Sequence, residues 1–175
     1  MMTKRFTTLL VLLATVAMTT TFVVIPMGGG YFNFSDIAVV FSGLFIAHFL
    51  GTDKPTNLFF AFIVPGIGAG IADYYLGYTI FAPITLIAKG LEGTMAYLSY
   101  KKRGVLHLGI LLIGGILMAG TYFVAEAFIL KDLGGIEYAI GEIFPTNTIQ
   151  VIGGIIGGRI LFLIASKILK NEVTA

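Results

Sequence analysis

Six long apolar runs, separated by short punctuated connections, organise this chain. They cover approximately residues 5–25, 36–51, 57–77, 82–100, 105–130 and 147–168. An α-helix rises about 1.5 Å per residue, so about 20 residues cross a hydrocarbon core about 30 Å thick. Five runs reach that length. The second is short, and is expected to thin the bilayer locally or lie against its neighbours. The pattern predicts an all-α integral membrane protein, one transmembrane domain over residues 1–175, built from six transmembrane helices.

Composition agrees. Apolar residues make up 57% of the chain and charged residues only 11%, and the mean hydropathy is +0.97. A soluble domain carries roughly 25% charged residues. The net charge of +2, with dispersed basic residues, offers no footprint for nucleic acid. There are no cysteines, so disulfides and thiolate chemistry are excluded, and His48 and His107 form no metal-ligand spacing.

Charge in the connections orients the spans. Lys4, Arg5, Lys54, Lys101, Lys102, Arg103, Lys167 and Lys170 fall on one side of a six-span arrangement. The other side has Lys131 with Asp132, Glu137 and Glu142. The positive-inside rule then places both termini in the cytoplasm. A cleaved signal peptide at residues 1–25 would leave five spans, but no Ala-x-Ala site is present and the apolar run continues to Ile25. Residues 26–35 read as a flexible outer loop carrying aromatics, and 131–146 as the longest outer connection.

Ionisable groups inside a bilayer are costly unless paired or wetted. In this topology Asn33, Asp36, Asp73, Lys89, Glu92, Tyr122, Glu126, Asn147 and Gln150 all lie towards the outer face, from five segments. The inner halves of the spans are almost purely apolar. Convergent polar groups among apolar walls suit a small-molecule pocket open on one side, and no polar path crosses the membrane. Each residue also has a structural reading. Lys89 and Glu92, at i and i+3, neutralise each other on one helix face. Arg159 takes Glu92 as its partner. Asp36 caps span two. Tyr122, Asn147 and Gln150 hold helices together.

Gly66-x-x-x-Gly70, Gly153-x-x-x-Gly157 and Gly154-x-x-x-Gly158 read as close helix packing. None is a phosphate loop, and hydrolase and paired-histidine metal motifs are absent, so neither an enzyme nor a bound cofactor is expected. Ala14, Ala17 and Thr21 form a small-residue stripe on span one, either for internal packing or for docking to another membrane subunit.

Phe34-Ser35-Asp36-Ile37, Gly66-Ile-Gly-Ala-Gly70-Ile-Ala-Asp73 and Phe81-Ala-Pro83-Ile-Thr85-Leu-Ile-Ala-Lys89-Gly90-Leu-Glu92-Gly93 resemble segments of the substrate-binding S components of energy-coupling factor (ECF) vitamin transporters. The likeness covers nearly the whole chain and favours the hydroxymethylpyrimidine and pyridoxine branch. It implies a prokaryotic plasma-membrane protein that captures a vitamin or precursor from outside. Such a protein works with a transmembrane coupling subunit and two cytoplasmic ATPases. The family's Ala-x-x-x-Ala docking pattern on span one is matched here only by Ala17-Met-Thr-Thr-Thr21. Carried onto this chain, the family's ligand contacts imply Asn33, Lys89, Glu92, Tyr122, Glu126, Asn147 and Gln150, with Tyr31, Phe32 or Phe34 stacking on a planar ring. Hydroxymethylpyrimidine is the first expectation and pyridoxine the second; the lack of tryptophan speaks against a tricyclic ligand such as riboflavin. Two other classes remain: a proton-coupled secondary transporter using Asp73, Glu92 and Arg159, and a structural membrane subunit without ligand.

Overall fold

A computed structural model describes residues 2–27 and 30–173. Helix α1 (Met2–Phe22) leads into two short antiparallel strands, β1 (Val24–Met27) and β2 (Gly30–Asn33), paired Val24 to Asn33 and Met27 to Gly30. Then come α2 (Ser35–Leu50), α3 (Pro55–Tyr75), α4 (Ala82–Ser99) and α5 (Gly104–Val124). A π-helical turn (Ala125–Ile129), a 3-10 turn (Lys131–Leu133) and the short α6 (Gly135–Glu142) lead through Ile143–Asn147 to α7 (Thr148–Val173).

Each long helix falls within a few residues of an apolar run. Two connections differ from expectation. The 26–35 segment contributes to a hairpin rather than a flexible loop, so the fold is not wholly α-helical, and the 131–146 connection contains α6. Both follow from backbone polarity: pairing the strands or closing a helical turn satisfies N–H and C=O groups beside the apolar bundle.

Thr3–Phe22, Pro55–Tyr75, Gly104–Ile129 and Thr148–Leu169 are long and apolar enough to cross a membrane; Ser35–Leu50 is apolar but shorter. Their outer faces carry large exposed apolar side chains, among them Phe6, Phe59, Val105, Ile116 and Ile156. In water such a surface would be a continuous aggregation patch; in lipid it is solvated. This is a multi-pass membrane protein.

Helix α4 sits at the centre, against α2, α3 and α5, while α7 lies along α2 and α1 along α3. Contact is close where glycines meet backbone. At Gly93 of α4 a Cβ would come within 2.6 Å of the Ala61 carbonyl of α3. That carbonyl lies four residues before Pro65, which has no N–H to bond it. At Gly154 of α7 a Cβ would stand 2.7 Å from the Asp36 Cβ. Gly158 likewise faces Val40, and Gly157 faces Ile37, whereas Gly153 has nothing within 4 Å. The packing seam of α7 is therefore the Gly154–Gly158 pair with Gly157.

Polar side chains at the other end of the bundle are locally satisfied. Asn57 Nδ2 donates to the Leu50 and Gly51 carbonyls at 2.8 and 3.0 Å, and Arg5 donates to Asn57 Oδ1. His48 Nδ1 is 2.8 Å from the Tyr100 hydroxyl, and His107 Nδ1 donates to the Ser99 carbonyl at 3.0 Å. These tie α2, α3, α4 and α5 together where the apolar core ends.

Candidate ligand pocket

The polar residues of the opposite end converge on one cavity. Helix α4 supplies Thr85 and Lys89, four residues apart and so on one helix face. Phe81, one turn earlier, continues that face. Asp73 comes from the last turn of α3, Tyr122 and Glu126 from the end of α5 and its π-turn, and Tyr138 and Glu142 from α6. Thr146, Asn147 and Gln150 enter with the start of α7, and Asn33 with the end of β2. The irregular backbone at 125–147 thus lines a cavity, the place where broken helices are tolerated at membrane depth.

Two polar chains fix the walls. Lys89 forms a buried ion pair with Asp36, both about 98% or more removed from solvent, and its ammonium lies 5.8 Å from the Tyr122 ring centroid. The Tyr122 hydroxyl donates to Thr85 Oγ1 at 2.9 Å, and the Thr85 hydroxyl donates to the Asp73 carboxylate. Asn33 Oδ1 accepts from the Ser35 N–H at 2.8 Å, which pins the hairpin to the head of α2.

These contacts correct several expectations. Asp36 does not cap α2: the N-cap is Phe34, without a side-chain cap bond. Lys89 pairs with Asp36 rather than with Glu92. Arg159 does not pair with Glu92 either; Glu92 is buried, whereas Arg159 is exposed on α7. Helical phase decides this, since Gly154 and Gly158 turn towards α2 and carry Arg159 to the outside.

Of the eight ligand residues expected, Asn33, Lys89, Tyr122, Glu126, Asn147 and Gln150 line the cavity. Glu92 and Phe34 are not part of its wall. Phe34 is 40% exposed beside it in sequence, and Glu92 is buried with Oε2 unpartnered among the described residues. The side chains of Tyr31 and Phe32 lie outside the described residues. Tyr78, Phe81, Thr85, Tyr138, Glu142 and Thr146 are further wall residues. Thr85 was legible as the residue one turn before Lys89; Tyr138 and Glu142, one turn apart, were legible only once 135–142 is known to be helical.

The wall is acidic. Asp73, Glu126 and Glu142 face a cavity whose one lysine already serves Asp36. Glu126 is buried and its Oε2 has no partner among the described residues. On α6, burial pushes the Glu142 carboxyl above its ordinary range, against a lowering by its hydrogen bond with Thr146. Burial, then the nearby Glu142 and Glu126, raises the Tyr138 phenol to about 12. An uncharged phenol beside carboxylates is a donor and a carboxylate an acceptor, so this rim favours ligands rich in N–H and O–H.

The family model for the S component of the ECF-type riboflavin transporter matches residues 1–170. The chain belongs to this family. As an S component it is a substrate-binding subunit of an ECF transporter. An uncharacterised protein of Pyrococcus woesei is 30% identical over 149 residues, 82% of this chain and 88% of that protein. A solved S component of a bacterial ECF transporter matches over the full length of both chains, at a TM-score of 0.62 and 21% identity, and so supports the fold.

On span one, Ala14 is exposed and Ala17 and Thr21 are half-buried. The Thr21 hydroxyl donates to the Ala17 carbonyl at 2.8 Å, so it presents no unsatisfied donor to the membrane.

Proposed function

We propose that this S component captures a small, single-ring vitamin or vitamin precursor bearing amino or hydroxymethyl groups, with hydroxymethylpyrimidine first and pyridoxine second. The observation that carries the reading is the small, acid-rich cavity at one end of the bundle. Its volume is about 70 Å³, about half the ~150 Å³ that accepts a benzene ring. One ring needs only a modest opening; a three-ring isoalloxazine needs a far larger one. The family's name carries riboflavin, a tricyclic ligand, and the cavity's size favours the smaller, single ring.

In this reading Glu126 and Glu142 accept from an exocyclic amine or ring N–H, Asn147 and Gln150 bond ring nitrogens or hydroxyls, and Phe34 closes over the ring. Lys89 serves mainly to hold Asp36 and shape the floor. In this reading the chain makes six spans with both termini cytoplasmic, in the plasma membrane of a prokaryote, and the cavity opens to the outside. The protein makes no chemical change in its ligand. It docks through α1, at Ala14, Ala17 and Thr21, to a transmembrane coupling subunit that carries two ATPases. A proton relay through Asp73, Glu92 and Arg159 finds no support, because Arg159 faces away from the other two.

Titration calorimetry on the detergent-purified chain with hydroxymethylpyrimidine, pyridoxine, thiamine and riboflavin tests this. One-to-one binding of hydroxymethylpyrimidine or pyridoxine, at least tenfold tighter than riboflavin, is expected. Tightest binding of riboflavin would replace the ligand assignment. No saturable binding of any of them would favour a structural subunit.

A further inference from the structure

Arg159 has no part in the pocket. It is the twelfth residue of the 26-residue α7, about 16 Å from one helix end and about 21 Å from the other. The face it shares is otherwise aliphatic: Ile152, Ile156, Ile160 and Leu163 are each roughly half exposed, from 48 to 57%. Arg159 is exposed among them and makes no ion pair or hydrogen bond among the described residues. The opposite face of the helix, through Gly154, Gly157 and Gly158, is committed to α2.

A guanidinium in hydrocarbon demands an anion or water. Snorkelling is the usual escape, but here it is poorly served. The Cα–Cβ bond leans towards the helix N-terminus, where the next residues on this face are Ile156 and Ile152. Towards the C-terminus, the first polar residue on the face is Ser166, seven residues and about 10.5 Å away, and its hydroxyl is already spent on the Leu163 carbonyl of its own helix.

We propose that Arg159 is a docking contact, paired in the assembled transporter with an Asp or Glu on a transmembrane helix of the coupling subunit. This rests on the docking reading given above and adds a second element, α7, to it. The occupant follows from charge complementarity. A planar guanidinium takes a carboxylate in a two-pronged bond, and the isoleucines around it supply a dry rim that excludes competing water. Lone lipid phosphates lie at the interfaces, not at this depth.

The test uses the full chain co-expressed with the coupling subunit and two ATPases of its source organism, with recovery of the complex on a tag carried by this chain. Arg159→Gln and Arg159→Glu should lower recovery at least tenfold, and Arg159→Lys should retain most of it. Ile156→Trp, which keeps the charge but adds bulk on the same face, should lower recovery as well. Each purified variant should bind vitamin with wild-type affinity, because none touches the pocket. Wild-type recovery with Arg159→Gln would overturn the proposal and leave the guanidinium to lipid or water. If Arg159→Gln fails to fold, undiminished recovery with Ile156→Trp would overturn it equally. Failure of the wild-type chain itself to assemble would instead sink the docking reading on which the proposal rests.

Discussion

Lys89 on α4 and Asp36 at the head of α2 form a buried ion pair across 53 residues of sequence. It joins the central helix, whose Lys89 lines the ligand cavity, to the segment that packs on α7. Removing one partner strands a buried charge, which typically costs 3–5 kcal/mol, whereas removing both costs less. Lys89→Met should therefore destabilise the protein by about 3–5 kcal/mol. The double variant Asp36→Asn/Lys89→Met should be less destabilised than the sum of its singles. Thermal unfolding in detergent, arranged as a double-mutant cycle, measures the coupling; additive effects would mean the pair carries no net interaction.

Gly154 lies against Asp36, and Gly153 against nothing within 4 Å. Gly154→Ala should push α7 away from α2, lower the melting temperature and weaken vitamin binding by disturbing the Asp36–Lys89 pair. Gly153→Ala should be neutral or stabilising by up to about 1 kcal/mol, the helix-propensity gain of alanine over glycine. Equal effects of the two substitutions would contradict the seam assigned to α7.

Glu126 lines the cavity with a carboxylate oxygen that has no partner among the described residues, while Glu92 is buried outside its wall. A hydrogen bond to a charged group contributes about 1.5–3 kcal/mol, so Glu126→Gln should weaken binding of an amino-bearing ligand by roughly ten- to a hundredfold. Asn147→Ala should also weaken it, and Glu92→Gln should change affinity much less. Calorimetry on the three variants decides; a larger loss for Glu92→Gln would move the site one turn along α4.

The raised Glu142 carboxyl makes two opposite pH effects. A carboxyl whose folded pKa exceeds its unfolded one binds protons more tightly when folded, so its protonation stabilises the fold. The ligand-free protein should gain stability from this group as pH falls through the raised value towards 4.5, the ordinary value of the group. Binding of a cationic or amino ligand needs the ionised form and should weaken over the same window. In Glu142→Gln both contributions should vanish. Melting curves and titrations between pH 4 and 8 would show it, and a pH profile of binding unchanged by the substitution would remove Glu142 from the site.

The membrane class and the long helices are legible in the chain alone. A run of about 20 apolar residues has few stable alternatives in lipid, because only a helix satisfies its own backbone. Each intramembrane polar group needs a partner or water, which singled out candidates along the chain, and six of the eight expected ligand residues line one cavity. What the sequence left open was pairing. Lys89 has Glu92 one turn away on its own helix, yet it bonds Asp36, brought from 53 residues away by the packing of α2 on α4, close where Gly43 meets the Gly93 carbonyl. Arg159 looked like a partner for Glu92 by depth, yet its helical phase, fixed by Gly154 and Gly158 against α2, turns it outward. Periodicity along a chain sets which residues share a face and at what depth. Only the packing of one helix on another decides which face meets which, because that rotation is chosen by contacts between segments far apart in sequence.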